Sequence, residues 1–238
     1  MKKIFKKTAN FIKCNLAVRS NEKFSKYLRD KGFTIGENCQ FFARKSLYFD
    51  MTRPFMISIG NNVIITKGVT ILTHGYDWAV IKHEYKKVIG SARRVVIGNN
   101  VFIGVNSVIL PGATIQDNVI IGSGATISGV VESNSVYAGN PAKKIMTLDE
   151  YKIKREKNVL KEIVELAECY IEKYGEFPNE KIFYEHFDLF VPRNKESFGV
   201  LSSHVITKSK PYLSKFLNTT PYFKDFNDMK SFILNKIK

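Results

Sequence analysis

The chain has 238 residues, 44% of them hydrophobic, and a formal net charge of +15. Such apolar content supports a globular core, and no apolar run approaches the ~20 residues of a transmembrane helix. The charge points to an anionic partner (nucleic acid, a membrane surface or a phosphate-bearing small molecule) or to nothing more than a solvated lysine-rich surface. Cys14, Cys39 and Cys169 form no metal-binding spacing, which favours reduced thiols and a cytoplasmic protein.

Residues 1–31 read as a basic amphipathic helical segment. Ile4, Phe5, Phe11, Ile12, Leu16, Phe24 and Leu28 form its apolar stripe, with Lys2, Lys3, Lys6 and Lys7 beside it. Such a helix either docks on its own domain or makes a peripheral contact with an anionic membrane. Its first residues are basic, but Asn10, Lys13 and Asn15 interrupt the apolar stretch that a signal peptide needs. Gly32 ends the segment as a helix C-cap glycine would.

From Ile35 a period of six begins, through Phe41, Leu47, Arg53, Ile59, Ile65 and Ile71. It resumes without a miss at Ile97, Ile103, Ile109, Ile115, Ile121 and Ile127. Four residues after each of these six comes Val101, Ser107, Ala113, Val119, Ala125 or Val131, and Cys39 stands in the same relation to Ile35. A helix repeats every three or four residues and a plain strand every two, so a period of six fits neither. It fits a short strand plus a turn, stacked so that the aliphatics form one continuous core.

Arg53 breaks the rule, because a lone arginine does not belong in a narrow aliphatic core. Asp50–Met56, with Arg53-Pro54, is therefore expected to leave the regular path. Ile71 to Ile97 is 26 residues, not a multiple of six, so a loop must be extruded at about 72–96. It carries His74, Tyr76, Asp77, Trp78, His83, Glu84, Arg93 and Arg94, a polar and aromatic cluster mounted on a rigid scaffold. The period ends at Ser128-Gly129. Residues 148–174 then read as one long helix, with Leu160, Ile163, Val164, Ala167 and Ile171 on one face, and 175–238 as an aromatic-rich helical appendage. Three regions result: 1–31, a repeat domain at 32–146, and an extension at 147–238.

Ile59-Gly60-Asn61-Asn62-Val63, Thr73-His74-Gly75-Tyr76-Asp77-Trp78, Ile97-Gly98-Asn99-Asn100-Val101-Phe102-Ile103-Gly104 and Ala138-Gly139-Asn140-Pro141-Ala142-Lys143 resemble motifs of the hexapeptide-repeat acyltransferases. The likeness covers about residues 35–145 and is nearest the galactoside, maltose and capsule or O-antigen O-acetyltransferases. It implies a mainly β fold, a left-handed parallel β-helix, despite the usual right-handed preference of parallel connections. It also implies a homotrimer with acetyl-CoA, the acyl donor, in a groove between neighbouring coils, and a sugar or glycan acceptor.

Acetyl transfer from a thioester to a hydroxyl needs a base, oxyanion donors and alignment. With no GxSxG elbow and no plausible cysteine nucleophile, direct attack by the acceptor is the simpler route. By resemblance His74 is the base, with an imidazole pKa suited to neutral pH. Glu84, some ten residues on, matches the carboxylate that orients such a histidine, and Asp77 is its local competitor. Tyr76 and Trp78 offer a stacking platform for a sugar or else pack the loop. Asp50 and Arg53 fall at the level of acceptor-binding residues. Arg53 either clamps a carboxylate or phosphate on the acceptor or pairs with Asp50 to hold the bend. Phe102, Val105, Ser123, Ser128 and Gly129 match positions along the CoA arm, and Lys143 a basic residue near the CoA phosphates.

A γ-class carbonic anhydrase on this scaffold would need three histidines around zinc. The chain has four in all, with His186 and His204 in the helical tail, so no metal is expected. Nucleic-acid binding lacks any zinc finger, RNP or helix-turn-helix pattern. The remaining alternatives are N-acetylation of an amino-sugar nucleotide, acetylation of an antibiotic, and a non-catalytic scaffold.

Overall fold

The computed structural model describes residues 17–197 and 210–237. The chain divides into two compact units, Met1–Lys152 and Ile153–Lys238. In the first, the chain winds repeatedly through three sheets. Thr34–Ile35, Ile57–Ile59, Val95–Ile97, Thr114–Ile115 and Val130–Val131 form the first sheet, in that order. Gln40–Phe41, Ile64–Ile65, Val101–Ile103, Val119–Ile121 and Ser135–Ala138 form the second, closed by the antiparallel strand Lys143–Thr147. Tyr48–Phe49, Thr70–Ile71, Val108–Ile109 and Thr126–Ile127 form the third.

The period of six is one side of this prism. Ile59 pairs with Ile97 and Ile97 with Ile115, Ile65 with Ile103 and Ile103 with Ile121, Ile71 with Ile109 and Ile109 with Ile127. All of these isoleucines are at most 2% exposed. Each such burial stabilises the stack by about 1.5–3 kcal/mol. The fourth residue after each isoleucine turns inward too, at a corner too tight for a large side chain. Val101, Ser107, Ala113, Val119, Ala125 and Val131 are all buried, as is Cys39.

The corners set the remaining sequence rules. Gly104 lies so near the next coil that a Cβ there would stand 2.5 Å from the backbone nitrogen of Ser123. Asn62, Asn100 and Asn118 take left-handed conformations, with φ of 55°, 54° and 58°. Asparagine tolerates that region better than most residues because its short amide finds local partners. Here the partners lie in the next coil: Asn100 Nδ2 donates to Asn118 Oδ1 at 2.8 Å, and Asn118 Nδ2 to Asn134 Oδ1 at 3.0 Å.

Two expectations need correction. The step from Phe41 does not end on Leu47. A 3-10 turn at Arg44–Ser46, entered through left-handed Ala43, inserts two residues, so Phe49 faces inward opposite Ile71. The period of six does end at Ser128-Gly129, although the coil itself continues. A shortened step sets Val131 on Ile115 and Tyr137 on Ile121. The extruded segment, leaving after Thr70–Ile71 and returning at Val95–Ile97, is not all loop, since Trp78–Tyr85 is helical.

The helix Asn21–Asp30 starts at Ser20, whose Oγ accepts from the Lys23 amide at 3.2 Å. Gly32 ends it with φ of 105°, and the amides of Gly32 and Phe33 return to the carbonyls of Arg29 and Leu28. Phe24 and Leu28 pack into the first coil, with Phe24 edge-on to Phe41 at 5.1 Å. That part of the basic segment docks on its own domain. Ile4, Phe5, Phe11, Ile12, Leu16 and the four lysines lie outside the described residues. Among the described residues no helix is long and apolar enough to cross a membrane.

The helix Leu148–Tyr174 runs from the first unit into the second. There Ile163 and Ala167 meet Phe183, Phe187, Phe190, Phe216, Phe223, Met229 and Ile233 in a separate apolar core. A 3-10 helix at Glu180–Leu189 and α-helices Lys210–Leu217 and Phe226–Ile237 supply most of those side chains.

Candidate active site

The corner where the third sheet turns back to the first brings Asp50, Thr52, Thr73 and His74 together. Because Phe49 pairs with Ile71, the next residues of the two coils, Asp50 and Leu72, lie side by side, and Thr73 and His74 follow at once. Asp50 is only 2% exposed, yet its carboxylate is well supplied. Oδ1 accepts from the Thr52 amide at 2.9 Å and the Thr52 hydroxyl at 2.6 Å. Oδ2 accepts from the buried Thr73 hydroxyl and from His74 Nδ1, the latter at 2.6 Å. Burial alone would raise the Asp50 pKa. The bonds from Thr52, Thr73 and His74 outweigh it and hold the carboxyl well below the usual range. An ionised Asp50 can only accept, so Nδ1 of His74 donates to it, and in the neutral imidazole Nε2 then keeps its lone pair.

His74 borders a cavity of about 350 Å³, lined also by Thr52, Arg53, Gly75, Tyr76, Trp78, Gly90 and Ser91. Tyr76 stands edge-on to His74, with ring centroids 5.2 Å apart, and to Trp78 at 6.2 Å. Its ring is 70% exposed, so Tyr76 is not tucked into the coil's core. Arg53 enters the cavity from the bend before the 3-10 turn Pro54–Met56 and makes no ion pair with any described residue.

The carboxylate on His74 is Asp50 rather than Glu84 or Asp77. Glu84 is exposed on the helix Trp78–Tyr85, and Asp77 folds back over Gly75, where a Cβ would meet its Oδ1 at 2.6 Å. Asp50 is correspondingly not free to take a ligand or to pair with Arg53, since both its oxygens are engaged behind the histidine. Thr52, Thr73, Gly90 and Ser91 were not anticipated. Thr73 had one signal, its place beside His74 directly after a coil strand.

The other expected residues lie on different edges. Ser128 and Gly129 occupy the same corner as His74, two coils further on. Phe102 points outward from the second sheet, while Val105 and Ser123 sit in turns between the second and third sheets. Lys143 begins the closing strand, exposed and unbonded, whereas the neighbouring Lys144 is held by Glu132 at 2.8 Å. Among the described residues no three His, Cys, Asp or Glu side chains are grouped to hold a metal ion.

The bacterial transferase hexapeptide (six repeats) family matches residues 94–129. Galactoside O-acetyltransferase of Escherichia coli (strain K12) is 34% identical over 50% of this chain and 58% of its own. A maltose O-acetyltransferase structure from Clostridium difficile 630 superposes with a TM-score of 0.44 and 25% identity, over 57% of this chain and 82% of that one. Protein CapG of Staphylococcus aureus is 40% identical over 65% of this chain and 83% of its own length. On the strength of that coverage and of the coils themselves, the chain belongs to the hexapeptide-repeat family of bacterial transferases.

Proposed function

We propose that the protein transfers an acetyl group from acetyl-CoA to a sugar hydroxyl, with His74 as general base. The observation that carries this is the Asp50–His74 pair at 2.6 Å, beside a cavity of about 350 Å³ with two aromatic rings in its wall. Nε2 of His74 takes the hydroxyl proton as the acceptor oxygen attacks the thioester carbonyl. Asp50, ionised and fixed by two threonines, holds the tautomer and balances the imidazolium that forms. The thiolate of CoA leaves when the tetrahedral intermediate collapses and takes up the proton from His74. Tyr76 and Trp78 present apolar ring surface to the sugar. The names of relatives such as galactoside O-acetyltransferase support acetyl transfer and a sugar as acceptor.

The donor fits exposed positions: the outward ring of Phe102, the open turns at Val105, Ser123, Ser128 and Gly129, and the unbonded ammonium of Lys143. Phe102, Val105 and Ser123 stand off the edge that holds His74, so one chain does not gather both sets. A homotrimer, with donor and base contributed by adjacent copies, brings them together. Release of free thiol from acetyl-CoA tests this, against a panel of neutral sugars, uronic acids, sugar phosphates and sugar nucleotides. Acceptor-dependent release that collapses in a folded His74→Ala protein supports the mechanism. Release that survives the substitution overturns it.

A further inference from the structure

The charge of the cavity beside His74 is not balanced. Among the described residues Arg53 is the one permanently charged residue that lines it, and no carboxylate does. Asp50, behind His74, has both oxygens committed to Thr52, Thr73 and His74, and Asp77, which stands over Gly75, makes no ion pair with Arg53. Arg53 is half-buried, placed by a bend that Pro54 stiffens at the first position of a 3-10 turn. A guanidinium with no ion-pair partner among the described residues, beside the Ser91 hydroxyl, is a receptor for an oxyanion, which it can grip with two parallel N–H donors.

From this geometry we infer that the acceptor is itself an anion: a sugar carrying a carboxylate or a phosphoryl group, read by Arg53. The inference rests on the acetyl-transfer reading for what happens at the hydroxyl, but the anion site stands on Arg53 alone. Arg53 and His74 line the same cavity, so the anion fixes which hydroxyl of the ring meets Nε2. A neutral sugar placed over Arg53 would displace water from the guanidinium without supplying a counter-charge. Carboxylate and phosphoryl share this chemistry, and they differ in charge and shape enough to be told apart by titration.

Trp78 is the only tryptophan in the chain and lines the cavity, so its fluorescence reports binding directly. The full-length protein is titrated with methyl glucoside, methyl glucuronide and glucose 1-phosphate, each with and without CoA. The same titrations are run on Arg53→Gln and Arg53→Lys. The expected result is that at least one anionic sugar binds ten-fold or more tightly than the neutral one. Arg53→Gln abolishes that preference, and Arg53→Lys restores part of it. The preferred probe, glucuronide or phosphate, names the anion.

Equal binding of neutral and anionic sugars by the wild type overturns the inference. So does a preference that persists in Arg53→Gln. Weaker CoA binding in Arg53→Gln, with sugar binding unchanged, would give Arg53 to the donor's phosphates and overturn it as well. Loss of the oligomer in Arg53→Gln by sedimentation would make Arg53 an assembly residue and would equally overturn it. An anion preference in a protein that never releases thiol would keep the site and sink the acetyl-transfer reading instead.

Discussion

Asp50 and His74 stand 24 residues apart in the chain and 2.6 Å apart in the structure, joined through Oδ2 and Nδ1. The coil, not the local sequence, makes this contact, because residues that follow paired strands of the third sheet fall one above the other. Asp50→Asn keeps the volume and loses the charge that fixes the tautomer. Its amide can donate to Nδ1, which leaves the ring proton on Nε2, the nitrogen that has to take the acceptor's proton. The expected loss in kcat is about 10²–10⁴-fold, with little change in KM for acetyl-CoA. Thiol-release kinetics on the folded variant check this, and a kcat within a few-fold of wild type would remove Asp50 from the mechanism.

Glu84→Ala and Asp77→Ala separate the same question from its alternative. Neither carboxylate touches His74, so Glu84→Ala should hold kcat within about two-fold of wild type. Asp77→Ala uncovers Gly75 and is expected to raise KM for the acceptor more than it lowers kcat. A collapse of kcat in Glu84→Ala would restore the carboxylate ten residues beyond the histidine as its orienting partner.

The isoleucine ladder was legible because a prism with three faces imposes one chemical rule every six residues, and Ile97 to Ile127 obey it throughout. The small residues at Val101, Ser107 and Ala113 were legible for the same reason. The Asp50–His74 contact was not. The turn at Arg44–Ser46 adds two residues, which moves the inward position from Leu47 to Phe49, and a frame counted in sixes never places Asp50 beside Leu72. Had Phe49 been aligned with Ile71, Asp50 would have fallen one coil from His74. The helix Trp78–Tyr85 was hidden for a different reason, as none of its residues is buried and it carries no strong apolar stripe.

Stability of the first unit should follow the ladder. Ile103 is fully buried between Ile65 and Ile121, so Ile103→Ala leaves a void in the middle of the stack. It is expected to cost about 2–5 kcal/mol in chemical denaturation. Ile145→Ala, at a side chain 54% exposed on the closing strand, should stay within about 0.5 kcal/mol of wild type. Similar costs at the two positions would argue against a continuous aliphatic core.

The second unit should weaken in mild acid. His186 is half-buried, and burial pushes its pKa down against the pull of Glu162 and Glu185, with Arg155 adding to the depression. The folded state thus favours neutral imidazole. As pH falls through about 6.5, the unfolded chain takes up its proton first, so stability drains away until the pH passes the lower folded value. His186→Gln cannot take up that proton and should flatten the slope between about pH 7.5 and 5.5. Trp78 lies in the first unit, so hydrogen exchange of peptides around Ile163–Ala167 and Phe183–Phe190 is the appropriate probe. Protection that falls equally with pH in wild type and His186→Gln would assign the acid sensitivity to other groups.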